Sequence, residues 1–283
     1  MKALRHIVLI GPPGVGKGTF AALLQAQTGW KHLSVGECLR QEAAAGTALG
    51  KQVADIMRSG GLVPDAIANE VTFHRLDLLR KGQGQGLAST WGHGVLLDGY
   101  PRTVQQAEAL FVHAEQMDAK AGANANVGAN ANVQNSGSSS SSSNSSSFAA
   151  VQIVLNPEVA TEKLLHRRAC MTCARDFNTA HIVRDGYDMP AMLPDPHTCP
   201  LGPQACVPDL SVVRSDDTTE TIKYRIQQYT DKTAPVVQFF HDRRRLQTFH
   251  VFKGVKDTPA LLETICRQLG MPPSVGSSGG VSV

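Results

Sequence analysis

The 283 residues, 42% hydrophobic and 18% charged, suffice to bury a sizeable core and read as one α/β domain carrying insertions. A formal net charge of +3 falls far short of the basic clustering of a nucleic-acid binder, and no run approaches the roughly 18 apolar residues of a membrane span. Six cysteines, Cys38 and Cys266 standing apart while Cys170, Cys173, Cys199 and Cys206 share one segment, argue against a secreted disulfide framework and leave a metal site or reduced thiols.

Lys2 and Arg5 precede a short apolar run, residues 7–10, that leads straight into glycines. The run is too short for a secretory signal, so it is read as the first buried strand with no cleaved presequence. A cytoplasmic protein is expected, with a mitochondrial one as the alternative. A helix is expected over 18–27, a strand over 95–97 and a helix over 104–117. Residues 118–147 then carry Ala/Asn repeats and a serine tract. That composition buries too little apolar surface to offset its ordering entropy, so a disordered insert inside the domain is expected. A strand over 151–155, a helix over 157–168, a strand over 248–252 and a helix over 259–269 follow. The Gly/Ser-rich residues 272–283 are expected to form a flexible tail. Short β-branched runs alternating with helices indicate a parallel sheet covered on both faces. Ligands of such sheets bind at the carboxyl ends of the strands.

Directly after the first strand comes Gly11-Pro-Pro-Gly14-Val15-Gly16-Lys17-Gly18-Thr19, opening a helix. Glycines let backbone N–H groups turn inward around phosphate oxygens, the helix N-terminus adds positive potential, and Lys17 reaches the β- and γ-phosphates. Gly14, Val15, Gly16, Lys17, Gly18 and Thr19 are therefore the expected nucleotide-triphosphate loop. A glycine-rich turn with an incidental lysine is the plain structural alternative. Nothing later reads as the Asn-Lys-x-Asp of a GTPase.

Gly18 stands where many such loops place Ser or Thr. In that detail the loop resembles the adenylate kinase family, and further segments match the family in order. Leu33-Ser34-Val35-Gly36-Glu37-Cys38-Leu39-Arg40 is similar to its Ser-Thr-Gly-Asp-x-Leu-Arg, with Val35 in place of Thr and Glu37 in place of Asp. The resemblance implies that Arg40 holds the phosphate of AMP through paired charge-assisted bonds. Taken alone, Arg40 would read as an exposed helix arginine. Gly60-Gly61-Leu62-Val63-Pro64-Asp65 resembles Gly-Lys-Leu-Val-x-Asp, whose main chain contacts the nucleoside; Gly61 replaces the lysine.

Asp98-Gly99-Tyr100-Pro101-Arg102-Thr103-Val104-Gln105-Gln106 resembles Asp-Gly-Phe-Pro-Arg-Thr-x-x-Gln. The family then implies that Asp98 orients water around Mg2+, Arg102 clamps the accepting phosphate and Gln106 hydrogen-bonds adenine, with Gly99 in the same loop. Gln106 favours AMP over the UMP/CMP kinases, which carry Asn soon after the Pro-Arg pair.

Lys163 to Arg168 resembles the family's Arg-x-x-Gly-Arg-Arg at the entrance of a lid, with Lys163 replacing an arginine and Arg167 entering the site. Phe177 falls where an aromatic residue meets the ATP adenine, and Val255 and Lys256 where the main chain does. Cys170 and Cys173 stand where zinc-bearing members place their first pair. Cys199 and Cys206, with His197 nearby, depart from the second pair's close spacing. A tetrahedral zinc on Cys170, Cys173, Cys206 and either Cys199 or His197 stays open beside the favoured alternative, a lid held by packing. Arg214-Ser215-Asp216-Asp217 and the following Arg225 are similar to Arg-x-Asp-Asp…Arg, implying that Arg214 and Arg225 reach both substrates on closure.

The resemblance implies a three-layer α/β/α phosphate-loop fold. Its core is residues 1–33, 66–168 and 226–271, with a monophosphate-binding subdomain over 34–65 and a lid over 169–213. It further implies a monomer that transfers a phosphoryl group from Mg-ATP to AMP through Lys17, Arg102, Arg167, Arg214 and Arg225. The alternatives are another nucleoside monophosphate kinase of UMP/CMP or GTP:AMP type, or a sensor that binds nucleotide without turnover.

Overall fold

A computed structural model describes residues 4–81, 94–125, 148–171, 175–194, 211–213 and 217–271. The remainder of the expected disordered insert and the expected tail lie outside the described residues.

The N-terminal run forms strand β1 (Arg5–Ile10), which enters the phosphate loop and then helix α1 (Lys17–Thr28). Strand β2 (Lys31–Ser34) follows, then helices α2 (Val35–Ala44), α3 (Ala48–Arg58) and α4 (Asp65–Lys81). Ser34 and Thr47 cap α2 and α3, their hydroxyls accepting from the backbone N–H of Glu37 and Gly50. Each cap satisfies a donor that the first helical turn leaves without an internal partner. Strand β3 (Gly94–Asp98) leads to α5 (Val104–Ala125), and β4 (Phe148–Val154) to α6 (Pro157–Leu165).

The central sheet has strand order β10-β4-β1-β3-β2 and is parallel throughout, with β10 at Leu246–His250. Alternate β1 side chains serve two cores. Ile7 and Leu9 pack on one face with Phe20 and Leu24 of α1 and Leu261 and Ile265 of α9 (Thr258–Gln268). Val8 and Ile10 pack on the other with Leu110 of α5 and Phe240 of α8 (Ala234–Asp242). Each such fully buried side chain contributes about 1.5–3 kcal/mol relative to leaving it in water. The three-layer arrangement follows from that two-sided burial.

A smaller three-stranded sheet combines β5 (Arg167–Cys170), β6 (Asp176–Asn178) and β9 (Ser211–Val212), with β7 (Ile182–Arg184) and β8 (Tyr187–Met189) forming a hairpin. Helix α7 (Thr219–Gln228) returns the chain to the core through a wide helical turn, Tyr229–Thr233.

Several expectations need correction. The sheet gains β2, which was not expected as a strand: among its residues only Leu33 is buried, so the edge strand lacks an apolar run. The helix expected over 157–168 ends at Leu165, and Arg167 and Arg168 belong to β5. Here antiparallel pairing with Phe177 and Asn178 overrides a run of good helix formers. Helix α5 runs on past Met117 to Ala125, into the segment expected to be disordered, because its alanines favour helix.

Candidate active site

The phosphate loop turns between the carboxyl end of β1 and α1. Gly14 and Gly16 adopt φ of 86° and 91°, conformations that side-chain-bearing residues rarely take. A Cβ on Gly14 would also lie 2.3 Å from the carbonyl oxygen of Ala160, and one on Gly11 2.7 Å from that of Ile153. At Gly11 and Gly14 the loop thus sits directly against β4 and α6 with no room for a side chain. Lys17 curls back over it, its Nζ donating to the carbonyls of Gly11 at 2.7 Å and Pro12 at 2.9 Å. Burial pulls the Lys17 ammonium down from 10.5 to about 8, opposed by Asp98 and assisted by Arg102, Arg225 and Arg167.

Asp98 closes β3 beside this lysine. Burial alone would push its carboxyl up, but His32, Lys17 and Arg102 hold it below the usual carboxylate range. His32 Nε2 lies 3.6 Å from Asp98 Oδ2. A Cβ on Gly18 would stand 3.1 Å from the same oxygen, which accounts for glycine after the loop lysine. A partly buried carboxylate facing the first turn of α1 suits the hard Mg2+ ion, held through water.

After Asp98 the chain passes Gly99, at φ 77°, and a cis Tyr100–Pro101 bond. Arg102 Nε donates to the Gly99 carbonyl at 2.9 Å, and burial lowers its pKa while Asp98 opposes. Gln106 is 3% exposed. Its Oε1 accepts from the Arg102 backbone N–H at 2.7 Å, and its Nε2 donates to Asp65 Oδ1 at 2.7 Å. Asp65, at the start of α4, also accepts from Thr103 Oγ1 at 3.0 Å.

Two adjoining cavities share Gly60, Leu62, Gly99, Tyr100, Arg102 and Arg225. One extends to Gly11 and Lys17. The other is walled by Val35, Arg40, Gly61, Val63 and Gln106 among others. Arg40 is half exposed, its Nε and Nη2 both against Glu37 Oε2 at 2.9 and 2.8 Å. Val35 is buried and packs in the core while lining this cavity, so a methyl stands where the family has a hydroxyl.

Arg167 and Arg225 converge on one carboxylate. Asp217 accepts from Arg167 Nε at 2.7 Å, from Arg167 Nη2 at 2.6 Å and from Arg225 Nη1 at 3.1 Å. The Asp217 side chain is wholly buried.

Other expected residues sit apart from these cavities. Phe177 is buried on β6. Lys256, in a single 3-10 turn (Gly254–Asp257), pairs its Nζ with Asp188 Oδ2 at 3.1 Å on the β7–β8 hairpin. Lys163 is partly buried and lines neither cavity, but its Nζ lies beside the phosphate loop, 4.0 Å from where a Cβ on Gly16 would stand. Cys170 is buried on β5. Arg214, Cys173, His197, Cys199 and Cys206 lie outside the described residues. Among the described residues no group of three or more His, Cys, Asp or Glu side chains could hold a metal ion. The sequence reading missed three partners. Asp65 and Asp217 lay inside quoted motifs without a role, and His32 carried no local signal beyond its place two residues before Ser34.

A family model described as adenylate kinase matches residues 9–245. The chain is 31% identical over 254 residues to the GTP:AMP phosphotransferase of Plasmodium falciparum (isolate 3D7), spanning 89% of this chain and 92% of that protein. It is 31% identical over 260 residues to adenylate kinase 1, chloroplastic, of Arabidopsis thaliana, spanning 91% and 76% respectively. Over 264 residues it is 32% identical to the adenylate kinase of Kosmotoga olearia, spanning 93% and 98%.

Proposed function

The chain belongs to the adenylate kinase family, and from that premise we propose that it transfers the γ-phosphoryl group of Mg-ATP reversibly to AMP, giving two ADP. The observation that supports this most is the pair of adjoining cavities. Arg102 and Arg225 line both, Lys17 lines one, and Arg40 and Gln106 the other. A donor phosphate on the loop and an acceptor phosphate near Arg40 would meet at Arg102.

In the reaction an oxygen of the AMP phosphate bonds to the γ-phosphorus as the bond from that phosphorus to the β–γ bridging oxygen breaks. The acceptor oxygen is already anionic, so no general base is required. What the chain must supply is alignment and positive charge. Lys17 leaves the carbonyls of Gly11 and Pro12 for the β- and γ-phosphate oxygens. Arg102 bridges acceptor and transferring groups, Arg167 and Arg225 add charge from the opposite wall, and Arg214 joins them by its motif. Asp98 would hold a bound Mg2+ through water, and the ion would supply further neutralisation of charge on the donor phosphates. Gly14, Val15, Gly16, Gly18 and Thr19 give the loop N–H groups to the donor phosphates. Phe177 and Lys256 flank the donor base, while Val35, Gly61, Leu62, Val63 and Gly99 flank the acceptor nucleoside.

A second donor is favoured by one finding, the relative named GTP:AMP phosphotransferase. ADP formation from AMP with Mg-ATP, run beside the same assay with Mg-GTP, tests both readings. No described helix is long and apolar enough to cross a membrane.

A further inference from the structure

We propose that Asp65 is a positioning residue that locks the side-chain amide of Gln106 in one orientation and thereby makes the acceptor site select a 6-aminopurine. The inference deepens the AMP reading and rests on it.

A glutamine amide can flip, exchanging its donor and acceptor ends at almost no change in shape. At Gln106 that freedom is removed. Asp65, ionised, is an acceptor only, and it takes Nε2–H at 2.7 Å. The Arg102 backbone N–H is a donor only, and it meets Oε1 at 2.7 Å. A flip would set Oε1 against a carboxylate and Nε2–H against an N–H, losing two hydrogen bonds at a buried site. Asp65 is itself held by Thr103 Oγ1, whose oxygen also accepts from the Gln106 backbone N–H at 3.1 Å. Lock and loop therefore form one closed ring of hydrogen bonds.

With those bonds made, Gln106 keeps one N–H and one lone pair, and it lines the acceptor cavity. That is a donor beside an acceptor, in fixed order. Adenine offers the complement, a ring-nitrogen acceptor beside an amino donor. Hypoxanthine and guanine carry a carbonyl oxygen at position 6, which would face Oε1 with two acceptors opposed. Rejection of those bases thus depends on the amide being unable to turn, and Asp65 enforces it.

The test compares wild type with Asp65→Asn and Asp65→Glu, using Mg-ATP and either AMP or IMP as acceptor. IMP differs from AMP only along this edge: O6 replaces the amino group and N1 carries a hydrogen, so donor and acceptor exchange places. Asn keeps the shape of Asp but presents either a donor or an acceptor, so only the Arg102 N–H still opposes the flip. Asp65→Asn is expected to raise KM for AMP and to shrink the AMP/IMP ratio of kcat/KM by about 10- to 100-fold, the discrimination of one bidentate base contact. KM for ATP and the thermal midpoint should stay near wild type, which a general loosening of the fold would not allow. Asp65→Glu remains an acceptor only and is expected to retain most of the ratio. It also serves as the readout should Asp65→Asn fail to fold, loss of the ratio in a folded Asp65→Glu then counting against the lock. An AMP/IMP ratio unchanged in a folded Asp65→Asn overturns the proposal while leaving the kinase reading intact. Absence of AMP turnover in wild type overturns both.

Discussion

Arg167 forks onto Asp217, its Nε and Nη2 donating to the two carboxylate oxygens at 2.7 and 2.6 Å. The same carboxylate takes Arg225, so one buried anion holds two of the proposed catalytic cations. Planar, two-point pairing fixes the direction of Arg167 as well as its distance, which a lysine there would not supply. Removing the anion leaves two guanidiniums facing each other with little solvent. Asp217→Ala is therefore expected to cost about 3 kcal/mol of stability, the range for breaking a buried pair from one side. Turnover should fall at least tenfold beyond any loss of folded protein. Urea unfolding and steady-state rates on the same preparation check both; a stability change below about 0.5 kcal/mol would mark the pair as incidental.

Lys17 yields a prediction in pH. Burial lowers its ammonium from 10.5 to about 8 in the unliganded protein. Bound triphosphate favours the charged form and must raise that value. Binding ATP should then take up protons between roughly pH 8 and 9.5, and take up none through this group near pH 6, where Lys17 is already charged. Calorimetry in two buffers of different ionisation enthalpy reads the uptake directly. Lys17→Met should abolish it along with most turnover. Uptake unchanged in Lys17→Met would assign it to another group.

Arg102 lines both cavities and is tethered through Nε to the Gly99 carbonyl. Its substitution should reveal how much a single positioned cation contributes to the transition state. Arg102→Lys keeps the charge and loses the fork; kcat is expected to fall by about 100- to 1,000-fold, as on removing one preorganised donor. The thermal midpoint should move by no more than a few degrees. A near-native kcat would remove Arg102 from the machinery.

The lid proposed from the sequence, residues 169–213, is expected to hold without zinc. Its β7–β8 hairpin is already anchored: Ile182 and Met189 are buried in the main core, and the Asp188 backbone N–H donates to the Phe252 carbonyl at 3.0 Å. Lys256 and Asp188 add an exposed ion pair. Chelation should leave the melting temperature unchanged, and metal analysis of purified protein should give far less than one zinc per chain. Stoichiometric zinc, with a melting temperature that drops on chelation, would instead favour a tetrahedral site on Cys170, Cys173, Cys206 and either Cys199 or His197.

The parts of the site written as strictly local chemistry were legible in the sequence. Gly14 and Gly16 must be glycine because their backbones demand it, so the phosphate loop reads directly from the chain. Asp98, Arg102 and Gln106 lie within one turn and helix start, and their spacing survives folding intact. What was not legible depends on distant segments meeting. Asp65 reads as an ordinary acidic residue opening a helix, and only packing of α4 on α5 brings it to Gln106. Arg167 reads as helical because its neighbours are good helix formers; pairing with Asn178 makes it a strand residue. Strand β2 was invisible because an edge strand with one buried side chain carries no hydrophobic signature.

The most direct test is ADP formation by the purified protein with Mg-ATP and, in parallel, AMP, GMP, UMP or CMP. The account predicts turnover with AMP at a kcat/KM exceeding that for the other monophosphates by 100-fold or more, as expected where buried polar groups must be matched. Preference for a different monophosphate, or ATP binding with no ADP formed from any acceptor, would contradict it.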